Sequence, residues 1–478
     1  MRIEKKNGTW QDERGASLVI ALISLLLLGV LTSGIIFVTV AEIGTTANYK
    51  ELAQARYAAE AGVQSTINWL ANNYTAPAAF SAYNTSTYPV RCVSGCASTG
   101  PVVMSGISGV ASNYPESSVV AAYRNALSNQ TLPGLGNSSY STSVRLLSMT
   151  RGTSVPWLDG NNGTPQTWEI TSQGYAAGVR NATVQVVATY EKPGVTIFGY
   201  GVFATGNSCP TINMAGGAVV DSYDSSAGTY AATVQTTGGN VGSNGSLALA
   251  GNAAIYGNAY LPNVQTFGIC PIQTFSNTSN VGISGNGGMP IATGSPQTFS
   301  DPSYTNPSPA LTTISAYTHN VSLPPGNYNN VQVSAGKTLT LSPGTYNFNS
   351  LTLSGNSDIV LNSGGPVVVQ IAGAGLLLKA LDISGGTITN SSGVPANLQI
   401  IYSGSLPMTL SGGASTAGVV YAPDSAITMS GQAPWFGSII GRSFNNSGGA
   451  AIHFDRSLAT GLVTSSPYRL IGFTWSKF

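Results

Sequence analysis

The densest grouping of chemically capable side chains is His453, Asp455 and Arg456 in AIHFDRSL, and Asp221 with Asp224 in DSYD is a second. Either group would be the place to look for acid–base chemistry. Hydrolysis of a glycosidic bond needs two carboxylates flanking it. Residues 201–478 contain no glutamate and only seven aspartates: Asp221, Asp224, Asp301, Asp358, Asp382, Asp424 and Asp455. DSYD lies in a Ser- and Gly-rich stretch with no base nearby, which suits a turn, where Asp hydrogen-bonds local backbone. In an extended strand His453 and Asp455 share one face, so a structural hydrogen-bonded pair in a terminal rung is expected. No nucleophile emerges, no catalytic residue is assigned, and the chain is expected not to be an enzyme. Calcium between rungs would draw on Asp side chains and carbonyls, but no acidic nonapeptide repeat is present; neither metal nor other cofactor is expected.

Four cysteines remain, Cys92 and Cys96 in RCVSGC, Cys209 in NSCP and Cys270 in GICP. An even number outside the cytoplasm suggests disulfides, most simply Cys92–Cys96 and Cys209–Cys270. Zinc would have to recruit His319 or His453, and neither lies near a cysteine in sequence. Charged residues make up only 7% of the chain and the formal net charge is +1. A nucleic-acid-binding surface needs a clustered basic face, so that class of partner is excluded. The polar surface is built instead from Ser, Thr and Asn.

The elements that position these residues begin with an uncharged run from Ala16 to Ala41, bounded by Arg14 and Glu42. As a helix it measures about 39 Å, enough to cross a hydrocarbon core of about 30 Å. Arg2, Lys5, Lys6 and Arg14 precede the run and Glu42 follows it, so the positive-inside rule leaves the N-terminus in the cytoplasm and exports the rest. A cleaved secretory signal would end in a small-x-small site followed by loop. Here the helical pattern continues to about Asn73, with Ile43, Ala47, Leu52, Ala55, Ala59, Val63, Ile67 and Leu70 forming one apolar stripe. Glu60 is expected on the solvated face opposite it.

ERGASLVIALISLLLLGVLT leading to QARYAAEAGVQSTINWL resembles the N-terminal region of PilX-type minor pilins, over about residues 13–70. The resemblance implies that a prepilin peptidase cuts after Gly15 and leaves Ala16 as a new N-terminus, commonly N-methylated. It also implies membrane lipid and, through the helix, other pilin subunits as partners. Major pilins carry a glutamate at the fifth mature position, where this chain has Ile20. That departure fits subunits at a filament tip, and it also fits an anchor that is never cleaved.

Residues 74–142 are expected to be mostly loop, with RCVSGC as a local staple. Ser143–Arg151, Thr167–Tyr175 and Val179–Glu191 then read as three strands of an antiparallel sheet, whose apolar face would take the stripe of the half-helix. The WEITSQGYAAGVRNATVQV hairpin also resembles sequences of that family.

Beyond Tyr200 an apolar-x-apolar-Ser/Ala-Gly pattern recurs at Ile212–Gly216, Leu247–Gly251, Val281–Gly285, Leu351–Gly355, Leu381–Gly385, Met408–Gly412 and Ile427–Gly431. Successive glycines stand 35, 34, 70, 30, 27 and 19 residues apart, as though one copy within the longest gap had drifted. Such a unit of short alternating strands closed by glycine suggests a parallel β-helix, with a β-sandwich as the rival.

The expected protein is thus α+β and mainly β: a charged leader (1–15), a transmembrane and amphipathic helix (16–73), a pilin-like antiparallel region (74–200) and a β-helix-like domain (201–478). Its expected role is a minor-pilin-like subunit or assembly factor of a type IV pilus or related filament, single-pass in the inner membrane. The exported domain would meet a glycan or surface ligand, with Trp435 and Phe436 as candidate aromatic contacts. The other readings are an uncleaved, membrane-anchored structural or glycan-binding protein of the cell surface and, less favoured, a carbohydrate-active enzyme.

Overall fold

The computed structural model describes residues 13–74, 82–150, 155–159, 164–178, 180–262, 275–304, 312–316, 318–410, 415–429 and 431–477. They fall into two units, one of Met1–Met149, Gln166–Glu191 and Pro467–Phe478, the other of Thr150–Pro165 and Lys192–Ser466.

The first unit is organised by a single helix, Glu13–Asn72, of 60 residues. At 1.5 Å per residue it is about 90 Å long. Its early apolar residues are uncovered, from Leu18 at 66% exposure to Val40 at 63%. Burial begins only at Glu51 and continues through Ala55, Ala59, Val63, Ile67 and Leu70. The stripe therefore starts later than its spacing suggests: Ile43 is exposed and Ala47 half-buried. Periodicity marks a face but not the medium that the face meets.

That helix packs on a sheet in the order Val103–Ser105, Ser138–Met149, Gln166–Ala176, Ala182–Lys192 and Arg469–Lys477. Contact is close because small residues line it. A side chain at Gly174 would collide with the helix backbone at Ala55 and Ala59, and one at Gly62 with Ser172 and Tyr140. The AAEAG segment thus has a packing role, since Ala58, Ala59 and Gly62 let the helix lie against the strand. A buried hydroxyl chain adds to the contact, with Thr142 Oγ1 3.0 Å from Thr66 Oγ1 and 2.7 Å from Tyr123 Oη.

Tyr123 belongs to a helix, Ser117–Leu127, within the stretch expected to be mostly loop. Val120, Tyr123 and Leu127 recur on its buried side at helical spacing. Short strands at Tyr83–Asn84, Arg91–Cys92 and Val103–Ser105 also lie in that stretch.

The last strand departs from the expectation that 201–478 is all repeat domain. Arg469–Lys477 runs antiparallel to Ala182–Lys192, with Phe473 opposite Ala188 and Trp475 opposite Val186. The Arg56 guanidinium sits 5.4 Å from the Trp475 ring centre. RLIGFTWSK has the alternation of any strand, so its sequence could not show which sheet it joins. The second unit is consequently inserted between two neighbouring strands of the first. Within that unit its entry and exit also lie side by side, since Gly194–Thr196 pairs antiparallel with Val463–Ser465.

The inserted unit is a parallel stack of rungs, and among the described residues 22 strands join into one ladder. One file of stacked positions reads Ile314, Val331, Leu351, Leu381, Met408, Ile427, Phe444, Ile212, Leu247, Phe275. The spatial order is not the chain order. The chain starts in the middle, with Val202 between Ile439 and Val241, and builds rungs outward as far as Ile291–Ala292. It then returns past the rungs already named: Gln297 Nε2 donates to Tyr200 Oη at 2.6 Å and Ser300 O accepts from Tyr421 Oη at 2.7 Å. From Ile314 it builds back until Asp455 lies opposite Tyr223. The rung of His453 is therefore central, where a terminal one was expected.

Six of the seven expected repeat units contribute to this file. Val281–Gly285 does not, because Gly282 and Ile283 pair with Ala254 and Ile255 and Phe275 takes the place opposite Leu247. The copy missing from the 70-residue gap is Val331–Ala335, whose Val331 and Val333 lie opposite Leu351 and Leu353. Ala335 holds φ +56° where Gly355 holds +61°, a left-handed corner that disfavours a side chain. Phe444 supplies a further copy. Asparagines stack between rungs, as in Asn213 Nδ2 to Asn445 Oδ1 at 3.0 Å and Asn347 Nδ2 to Asn327 Oδ1 at 2.6 Å, which gives the Asn-rich composition a structural use.

Candidate functional site

Two places carry functional geometry, one in each unit. In the first, Ile20 is 65% exposed, Leu25 71% and Phe37 76%, although all are strongly apolar. The window of highest hydropathy is wholly uncovered by the rest of the protein. Such a surface is stable only against lipid or against other apolar helices. Ala16 lies near the start of the helix and Gly15 immediately before it, within Glu13–Asn72. Glu60, expected to be solvated, is partly exposed and accepts from Arg56 Nε at 2.8 Å one turn earlier. Glu51 was missed in the sequence: it is buried and its Oε2 accepts from the backbone N–H of Arg180 at 3.2 Å, tying the helix to the turn after Gln166–Ala176. A charge beside an apolar stripe gives no local sign of such a partner.

The sulfurs of Cys92 and Cys96 are bonded, with the Cα atoms 6.2 Å apart. Cys209 is also a half-cystine, and its expected partner Cys270 lies outside the described residues.

In the second unit the structure redraws both ionisable groupings. His453 pairs with Asp221, Nδ1 to Oδ1 at 2.6 Å, and not with Asp455. Parallel stacking sets Asp221 directly opposite His453 one rung away, whereas His453 and Asp455 are separated along one strand. Asp221 Oδ2 accepts from Tyr230 Oη at 2.7 Å. Burial first, and then Asp221 beside it, hold the Tyr230 phenol well above its usual range. Asp455 is buried, with Oδ2 accepting from Ser457 Oγ at 2.8 Å and Oδ1 from the Ser225 amide at 3.0 Å. Asp224 does form the expected turn: its Oδ1 accepts from the Ser226 hydroxyl and amide, and those bonds hold its pKa below the usual carboxylate value.

Aromatic rings surround this pairing. The Tyr230 ring centre lies 4.1 Å from that of His453, and Phe436 lies 4.6 Å from His453 and 5.3 Å from Tyr230. Tyr223 meets Phe436 edge-on at 5.8 Å. Tyr223, Tyr230 and Phe436 line a cavity of about 470 Å³ together with Thr389, Asn390 and Ser415. Trp435, expected beside Phe436 as an exposed contact, is instead a core residue, 1% exposed, with Nε1 donating to Gly418 O at 3.0 Å. Adjacent residues of a strand face opposite ways, so only Phe436 can reach the cavity. Among the described residues no group of three or more His, Cys, Asp or Glu could hold a metal ion.

Residues 14–64 match the PilX N-terminal family, and residues 310–461 match a domain family of unknown function, DUF7305. The second match spans the rungs from Ile314 to Asp455, the stretch that builds back to the centre. No curated protein matches the chain. The competence-associated pilin ComZ from Thermus thermophilus is a similar solved structure, at 12% identity over 90% of this chain and 98% of that one, with a TM-score of 0.23 that by itself supports no inference. The PilX-type region and the uncovered helix of membrane length support a single-pass anchor with an exported β domain. The likeness to pilin and pilus-assembly proteins is thus carried by the N-terminal region, residues 14–64, which matches the PilX N-terminal family.

Proposed function

We propose that the chain is a minor-pilin-like subunit whose leader is removed after Gly15 by a prepilin peptidase and whose helix then packs among the helices of other pilins. The observation that carries this reading is the division of one continuous helix: apolar and uncovered from Leu18 to Val40, buried against its own sheet from Glu51 onward. A helix serving only to fold the domain would need no second apolar half. Ile20 supplies no carboxylate for the amine of a neighbouring helix, which favours a place at a filament tip. There the large inserted unit would be displayed without having to repeat along the fibre, free to meet a glycan or another surface. Cys209–Cys270 is proposed as a second disulfide. Mass spectrometry of the N-terminus purified from cells with active prepilin peptidase tests the processing step. A chain beginning at Ala16 is expected, and an intact leader removes the pilin reading.

A further inference from the structure

We propose that the cavity framed by Tyr223, Tyr230 and Phe436 binds one uncharged saccharide unit; this rests on the reading that the inserted unit displays a glycan-binding surface. The volume, about 470 Å³, lies in the range of small-molecule sites. Its described lining combines the aromatic residues with Thr389, Asn390, Ser392 and Ser415, all neutral polar side chains. A pyranose ring suits such a lining, with C–H groups that lie against aromatic rings and hydroxyls that bond neutral polar groups.

Charge decides between sugar classes. Among the described residues no Lys, Arg, Asp or Glu lines the cavity. Three carboxylates bond lining residues: Asp221 takes His453 on one oxygen and Tyr230 on the other, Asp358 accepts from Thr389 Oγ1 at 3.1 Å, and Asp455 accepts from the Ser225 amide at 3.0 Å. A uronate or sialic acid would lose hydration there and gain no cation, a cost that a neutral sugar avoids.

The site is also preorganised. Asp221 fixes the Tyr230 hydroxyl, and His453 supports that ring from behind at 4.1 Å. Asn390 is held by bonds from its Nδ2 to Val394 O at 2.8 Å and Ala417 O at 3.0 Å. Little ordering is left for a ligand to impose. Asp221 and His453 are positioning residues, since they act through Tyr230. Their pairing across stacked rungs joins chain segments that meet only because the stack is built from its middle.

The test is calorimetric titration of the full-length chain in lipid nanodiscs with cellotetraose, maltotetraose and triacetylchitotriose, and with trigalacturonate as the charged control. Binding of at least one neutral probe and none of trigalacturonate is expected. Tyr230→Ala is expected to weaken binding about tenfold or more. Thr229→Trp fills the cavity mouth from a side chain that makes no capping bond, and is expected to abolish binding while melting like the wild type. Binding that survives both substitutions overturns this site and leaves the wider glycan-binding reading standing. Absence of binding to every neutral probe overturns both, and preference for trigalacturonate overturns the uncharged class.

Discussion

In the unit built on the long helix, packing and strand pairing join distant segments: Ala55 and Ala59 lie against Gly174, and Trp475 lies opposite Val186. In the inserted unit most buried side chains meet a near neighbour, as Leu351 sits between Val331 and Leu381. The first arrangement depends on every segment being present. The second is a sum of nearest-neighbour contacts, so damage stays local. The central rung is the exception, because Phe444 stacks on Ile427 below and Ile212 above, and so joins the two halves of the stack.

Removing residues 467–478 should have the largest effect, because the sheet of the first unit loses its terminal strand. Limited proteolysis is expected to degrade that unit rapidly while the inserted unit persists; equal survival of both would break the contrast. Phe444→Ala should cost about 3–5 kcal/mol in urea denaturation. Hydrogen exchange should rise at Ile212–Met214 as well as in its own strand, and a rise confined to the strand would deny its joining role. Gly174→Val, which forces a side chain into the helix backbone, should cost about 2 kcal/mol. Smallest is Ala335→Gly, which relieves a left-handed alanine and should add about 1 kcal/mol, with Gly355→Ala losing a similar amount.

The sequence made some of this legible and hid the rest for physical reasons. The uncharged run, the three long strands and the Ser/Ala-Gly corners repeat at intervals set by local geometry, so a linear reading finds them. Pairing across rungs has no such trace. His453 and Asp221 are 232 residues apart, and nothing near either names the other. Phe444 escaped the repeat pattern because FNNSG lacks the second apolar residue, and Ala335 because it replaces the expected glycine. The fate of Arg469–Lys477 was hidden for a different reason. Strand alternation is common to both units, and the choice of sheet is made by tertiary packing.

Leu28 and Tyr57 give the most direct test of the divided helix, because they are equally uncovered by the protein itself, at 59% and 60% exposure. Single substitutions Leu28→Cys and Tyr57→Cys, probed in intact envelopes with a membrane-impermeant maleimide, distinguish lipid or neighbouring helices from water. Labelling at position 57 with none at position 28 is the expected result. Equal labelling at both would place the apolar half in water and contradict the membrane and filament role.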